Sequence, residues 1–293
     1  MTLSKQTILA LTFAVFGLVG CNSSSKQDVT DISTKTAADT PVVVDTLATE
    51  VITVASKTTY RDTITYDYTY FPIDSTLETK VMMVGNFHGD EVWDNASQMN
   101  WFGLFEGANG YYIRQTKIRT TRVNDPIVDA SEEEKTGWEV RAVNKDTCLI
   151  LIEPLPFLRD RAIQSVELPQ YYVYPGDTIS FNYLGLDYKL FATGGKMKVQ
   201  DDPEWFEVWN YKLYLTATVN GKQHRSLLVA VPNFDDQMIN LIFAGDIDGD
   251  GIVDLIIDTS RHYNMLSPTL YLSRPADKGE VIKPTGAHTS VGC

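Results

Sequence analysis

Helical periodicity is sustained nowhere in this chain; residues 130–135 amount to an acidic turn at most. A run long enough to cross a bilayer is also missing, because the leading apolar stretch covers only residues 8–18. Basic charge is short: 25 Lys and Arg stand against 38 Asp and Glu, a formal net charge of −13. That balance argues against nucleic acid and anionic membrane surfaces as partners. Histidine (4) and cysteine (3) are few, and no Gly-x-Ser-x-Gly, His-Glu-x-x-His or P-loop occurs. The familiar nucleophile, zinc-hydrolase and phosphate-binding signatures are therefore excluded.

What is present is β-forming. Tyr and Phe number 15 and 12, and turn signals recur at short intervals. Residues 211–219 alternate, Asn220-Gly221 turns the chain, and residues 227–231 return, the strongest short-range hairpin signal. Residues 187–192, Gly194-Gly195 and residues 197–199 read as a second hairpin. Pro175-Gly176 introduces a strand over 178–181, and residues 138–143 and 147–152 read as two more. The expected class is all-β: an antiparallel sandwich or meander carrying a metal-loop hairpin near the C-terminus. Residues 58–293 are enough for one large domain or for two halves, 58–165 and 166–293.

The densest chemistry lies at residues 243–258, where Asp246, Asp248, Asp250 and Asp254 fall between two apolar runs. Acids this close repel unless a cation sits among them, and an all-oxygen donor set suits Ca²⁺ rather than Zn²⁺. Gly249 and Gly251 permit the sharp turns that fold the acids inward. The loop is not an EF-hand: counted from Asp246, the twelfth position is Ile257, where a bidentate Glu is required. Residues 241–243 and 255–257 are β-prone, which gives strand, loop, strand. An acidic, solvated hairpin tip is the alternative without metal.

The order Asp-x-Asp-Gly-Asp-Gly-x-x-Asp between strands resembles the calcium loops of FG-GAP/VCBS-type repeats, as in integrin-like propellers. The resemblance implies that Asp246, Asp248, Asp250 and Asp254 bind by side chain and Ile252 by its carbonyl. Such repeats normally come in sets, which makes a second copy worth seeking. Gly85 to Asp94 aligns, with Asn86, His88, Asp90 and Asp94 at ligand positions, but Glu91 replaces a glycine and polar residues replace the second strand. It reads as coincidence or lost binding, so a full seven-bladed propeller is not expected. The last fifty residues also look like uncharacterised bacterial lipoproteins with a single such element, a resemblance that implies no activity.

The N-terminus gives an address. Residues 1–20 carry one Lys, the apolar run and then small residues, as a secretory signal does. Leu18-Val19-Gly20-Cys21 looks like a bacterial lipobox, which implies that Cys21 is acylated (palmitate or a similar chain) and becomes the mature N-terminus. A plain signal peptide with an incidental Cys is the alternative. Asn22 in place of Asp resembles Gram-negative lipoproteins of the outer membrane. Residues 21–57, rich in Ser, Thr, Asp and Ala, read as a tether that cannot bury a core. With Cys21 lipidated, Cys148 and Cys293 remain, as a disulfide in an oxidising compartment or as two free thiols.

Two functional classes follow. One is a non-catalytic envelope lipoprotein, stabilised by calcium, that binds or presents a protein or glycan outside the membrane. The other is an envelope hydrolase whose fold brings His88 and His262 together to form an acid/base pair with Asp258; the plainer role for His262 and Tyr263 is to hydrogen-bond the hairpin and neighbouring loops. Trp93, Trp101, Trp138, Trp205 and Trp209 could form a sugar-stacking face or serve as packing.

Overall fold

The computed structural model describes residues 70–200, 205–219 and 221–292. The signal, the lipobox with Cys21, the tether and Cys293 lie outside the described residues. Residues 57–293 form one compact unit. Its described part is all-β, with antiparallel sheets and neither a closed barrel nor a propeller.

The middle of the fold is a four-stranded sheet of β13 (Asn240–Gly245), β14 (Asp254–Asp258), β16 (Pro268–Leu272) and β17 (Lys283–Ala287), in that order. All five residues of β14 and all five of β16 are buried. Alternation along each strand explains this. Leu255, Ile257 and Tyr271 pack into one apolar cluster, while Ile256, Leu270 and Leu272 pack into another. Side chains two apart share a face, so both faces of this sheet are covered. A strand buried on both faces reads as an unbroken apolar run, which is why Leu255-Ile256-Ile257 shows no polar alternation.

The first cluster is shared with a sheet of long strands, β9 (Thr178–Tyr183), β10 (Leu186–Lys198), β11 (Phe206–Val219) and β12 (Lys222–Asn233), through Leu190, Leu213, Leu215 and Val229. The second is shared with a five-stranded sheet ordered β1 (Val81–Met82), β7 (Thr147–Ile152), β3 (Trp101–Gly107), β4 (Gly110–Thr116) and β8 (Arg161–Ile163). That sheet's other face packs Met82, Trp101 and Leu151 against Phe87, Ile118 and Val140. These belong to a three-stranded sheet of β2 (Gly85–Phe87), β6 (Gly137–Ala142) and β5 (Ile118–Val123). Four sheets thus stack face to face, and the second cluster draws on residues from both sides of position 165. Buried Tyr hydroxyls are satisfied within the stack: Tyr271 donates to the Leu228 carbonyl at 2.7 Å and Tyr211 to that of Val173 at 2.9 Å.

β11 and β12 pair as expected, with Val219 opposite Lys222, Asn220 itself lying outside the described residues. The second expected hairpin does not. β10 runs straight through Gly194-Gly195 and pairs along its length with β11, with a register shift between Thr193 and Gly195. The glycines serve close approach rather than a turn. A Cβ on Gly194 would sit 2.8 Å from the Asn210 carbonyl oxygen, and one on Gly195 would strike the Trp209 ring at 2.2 Å.

Candidate metal centre

The β13–β14 connection sits at one end of the middle sheet, and the register sets Gly245 opposite Asp254. The loop between them folds inward because Gly249 and Gly251 take φ of 85° and 86°, left-handed values that a Cβ disfavours. Carboxylate oxygens of Asp246, Asp248 and Asp254 thereby converge within 4.8 Å of one another. All three side chains are buried or nearly so, with Asp254 at 0 % exposure.

Backbone donors organise the acids. Asp254 Oδ2 accepts the Ile247 and Asp248 N–H groups at 2.7 and 2.9 Å, and its Oδ1 accepts Ser273 N–H at 2.8 Å. Asp246 Oδ1 accepts from Gly249 and Asp250, and its Oδ2 from Gly251. Asp248 Oδ2 accepts Arg274 N–H at 2.9 Å and the Ser273 hydroxyl at 3.2 Å. Asp248 Oδ1, by contrast, is buried and has no hydrogen-bond partner; the Arg274 Nε lies 3.6 Å away.

A buried carboxylate oxygen without a donor is costly. Burial, reinforced by the neighbouring Asp250 and Asp246, pushes the Asp248 pKa up to about 6, against the bonds from Arg274 and Ser273. Burial, with Asp248 next, holds the Asp254 carboxyl well above its ordinary value. Two guanidinium groups flank the loop. Arg161, at the start of β8, donates to the Asp246 carbonyl and, at 3.3 Å, to its Oδ1. Arg274 donates to the Asp248 and Gly249 carbonyls at 3.2 and 3.1 Å. Four aspartates against two arginines leave a formal deficit that one divalent cation matches. The donors offered are all oxygen, and the orphaned Asp248 Oδ1 is an open ligand position, so the residues fit a hard cation.

Of the other two expected ligands, Asp250 is not among the three converging carboxylates, and Ile252 was expected to bind through its carbonyl. Asp250 is exposed, and its Oδ1 accepts the Ile252 N–H at 2.9 Å, a local turn. Ile252 is half-buried, its side chain against the cluster shared with the long sheet. Arg161, Ser273, Arg274 and the Tyr183 hydroxyl, which accepts the Asp246 N–H at 3.1 Å, complete the surroundings. Sequence reasoning missed all four. Only Ser273-Arg274, directly after an apolar strand, left any trace.

The aligned segment at 85–94 builds no comparable cluster. His88 turns to Asp125, Asn86, Asp90 and Asp94 are exposed, and Asp94 is followed by left-handed Asn95 and a short 3-10 turn instead of a strand. The proposed acid/base grouping is likewise not assembled. His262 Nε2 lies 2.7 Å from Asp235, while Asp258 Oδ1 accepts the N–H groups of Ser260 and Ser267 at 3.0 and 2.9 Å. Of the tryptophans, Trp101 is fully buried, Trp138 lies under the Arg122 guanidinium, and Trp209 covers Gly195, so these three serve packing. Cys148, on β7, has no disulfide partner among the described residues, its expected partner Cys293 lying outside them, and burial pushes its thiol pKa up to about 12. No described helix is long and apolar enough to cross a membrane. No protein-family model, curated protein or solved structure matches this chain.

Proposed function

We propose that this chain is a cell-envelope lipoprotein, held in the outer membrane through acyl chains on Cys21, whose β domain binds one structural Ca²⁺ and serves as a non-catalytic binding or presentation module for a protein or glycan. The observation that carries the metal assignment is the donor-less Asp248 Oδ1 among three buried carboxylates. Asp246, Asp248 and Asp254 would hold the ion, with Asp250 and the Ile252 carbonyl completing the shell as in the loops this one resembles. Calcium supplies charge neutralisation there, and the chain's own groups supply the shape: Arg161 and Arg274 fasten the loop to its neighbours. The non-catalytic reading is supported by the histidines. His88 bonds Asp125 and His262 bonds Asp235, while Asp258, the acid expected to pair with them, accepts backbone N–H groups from Ser260 and Ser267.

Titration calorimetry on the folded chain tests the metal. We expect one calcium per chain with a dissociation constant on the order of 10⁻⁴ to 10⁻³ M, as in extracellular modules. Zinc, lacking nitrogen or sulfur ligands here, should not compete. No heat of calcium binding at millimolar concentration would refute the assignment. The anchor has a separate test: Cys21→Ser should leave the precursor unprocessed and move the protein out of the membrane fraction. Unchanged processing and attachment would remove the lipoprotein reading while leaving the metal site intact.

A further inference from the structure

The long-stranded sheet is the end layer of the stack, so one of its faces looks outward. The fifth sheet, a two-stranded pair of β15 (Met265–Leu266) and β18 (Ser290–Val291), lies elsewhere: the Val291 N–H is bonded to Glu91, in the loop after β2. Tyr188, Leu190, Leu213 and Leu215 pack into the apolar cluster shared with the middle sheet. By alternation Lys189, Phe191, Tyr214 and Thr216 face outward. The register sets them in rows across the strands. One row runs Ser180, Lys189, Thr216, Arg225, with two cations and no acid, and the next carries Phe191 opposite Tyr214.

In a chain of net charge −13 this face runs against the average. Lys189 and Arg225 are exposed, and neither takes part in an ion pair among the described residues. Their backbones stand two strand spacings apart, about 10 Å, which suits two anionic groups on one chain better than a single small anion. The Arg225 guanidinium lies 3.9 Å from the Tyr214 ring centre and 5.4 Å from that of Phe191, and the two rings stack at 5.4 Å. A guanidinium already held on a ring loses little freedom when its planar fork takes a carboxylate or sulfate. The larger cavities open elsewhere, beside the loop after β2 and residues 287–292, so this face offers an open plane to an extended ligand.

We propose that the outer face of the long-stranded sheet docks an acidic polysaccharide, with Arg225 and Lys189 taking its carboxylate or sulfate groups and Phe191 and Tyr214 packing beside them. This rests on the binding-module reading, whose partner it names. Charge complementarity selects an anion, and the rest of the surface selects its form. A membrane or a nucleic-acid duplex is a broad charged body that would also meet the acidic remainder of the protein. A single polysaccharide chain meets these rows alone, and salt screens it from charges more than about 8 Å away.

Binding of chondroitin sulfate to the full chain at fixed calcium tests this, with dextran as the neutral counterpart. Chondroitin sulfate should bind, and bind more weakly as salt is raised, while dextran should not bind. Arg225→Gln and Lys189→Gln, both at exposed positions, should each weaken binding about fivefold, and together about twentyfold, because the two cations act on separate anionic groups. Arg119→Gln removes an exposed cation from β5, at the other end of the stack, and should change nothing. No binding by the parent chain, or equal binding by the double variant, would overturn the assignment. Tighter binding of single-stranded DNA or of phosphatidylglycerol vesicles, lost in the same double variant, would also overturn it and give the face to another polyanion. Unchanged processing and attachment in Cys21→Ser would remove the envelope address while leaving these affinities standing, so the two readings fail separately.

Discussion

Removing calcium with a chelator should lower the melting temperature by about 5–10 °C from its value at a hundredfold excess of calcium over the dissociation constant. Mass action gives roughly 2.7 kcal/mol at that excess, and a domain of this size shifts about 2–4 °C per kcal/mol. Two substitutions separate the metal's contribution from the loop's own architecture. Asp248→Asn keeps acceptors for Ser273 and Arg274 but removes the charge at the orphaned oxygen. It should abolish the calcium response while leaving the chelated protein as stable as the parent, or more so, since a poorly solvated carboxylate is gone. Asp254→Asn is different, because both Asp254 oxygens accept backbone N–H groups. An amide can satisfy only one side and sets a donor against a donor on the other, costing about 1–3 kcal/mol with or without calcium. Differential scanning fluorimetry in calcium and in chelator reads both. A full calcium response in Asp248→Asn would contradict the site.

Alanine substitution on either face of β14 should be severely destabilising. Ile256 and Ile257 are both 0 % exposed, yet they point to opposite sides, one toward the five-stranded sheet and the other toward the long strands. Each change to Ala removes packing and leaves a cavity, so each should cost about 2–5 kcal/mol in denaturant unfolding. In a two-layer sandwich one face of the strand would meet solvent, and one of the two substitutions would be mild. A loss under about 1 kcal/mol at either position would show that the middle sheet is covered on one side only.

Much of the fold is legible locally. Alternating Tyr, Thr and Leu over 211–219 with Asn220-Gly221 specify the long hairpin, because side-chain period and turn chemistry act over a few residues. The three acids that converge at the candidate metal centre are legible for the same reason: Asp246, Asp248 and Asp254 share one short loop whose glycines dictate its shape. Gly194-Gly195 misleads because a glycine pair marks a turn or a close approach alike, and only the Trp209 ring across the strand pair decides between them. Arg161, 85 residues before Asp246, meets the loop solely because β8 and the middle sheet face a common core. His88 turns from the aligned loop to Asp125 for a like reason. The sequence by itself determined the all-β class, the strands of the long hairpin and a carboxylate loop fit for a hard cation. The stacking of sheets decided which groups surround that loop, since contacts between residues distant in the chain arise from burying apolar faces, which local sequence does not encode.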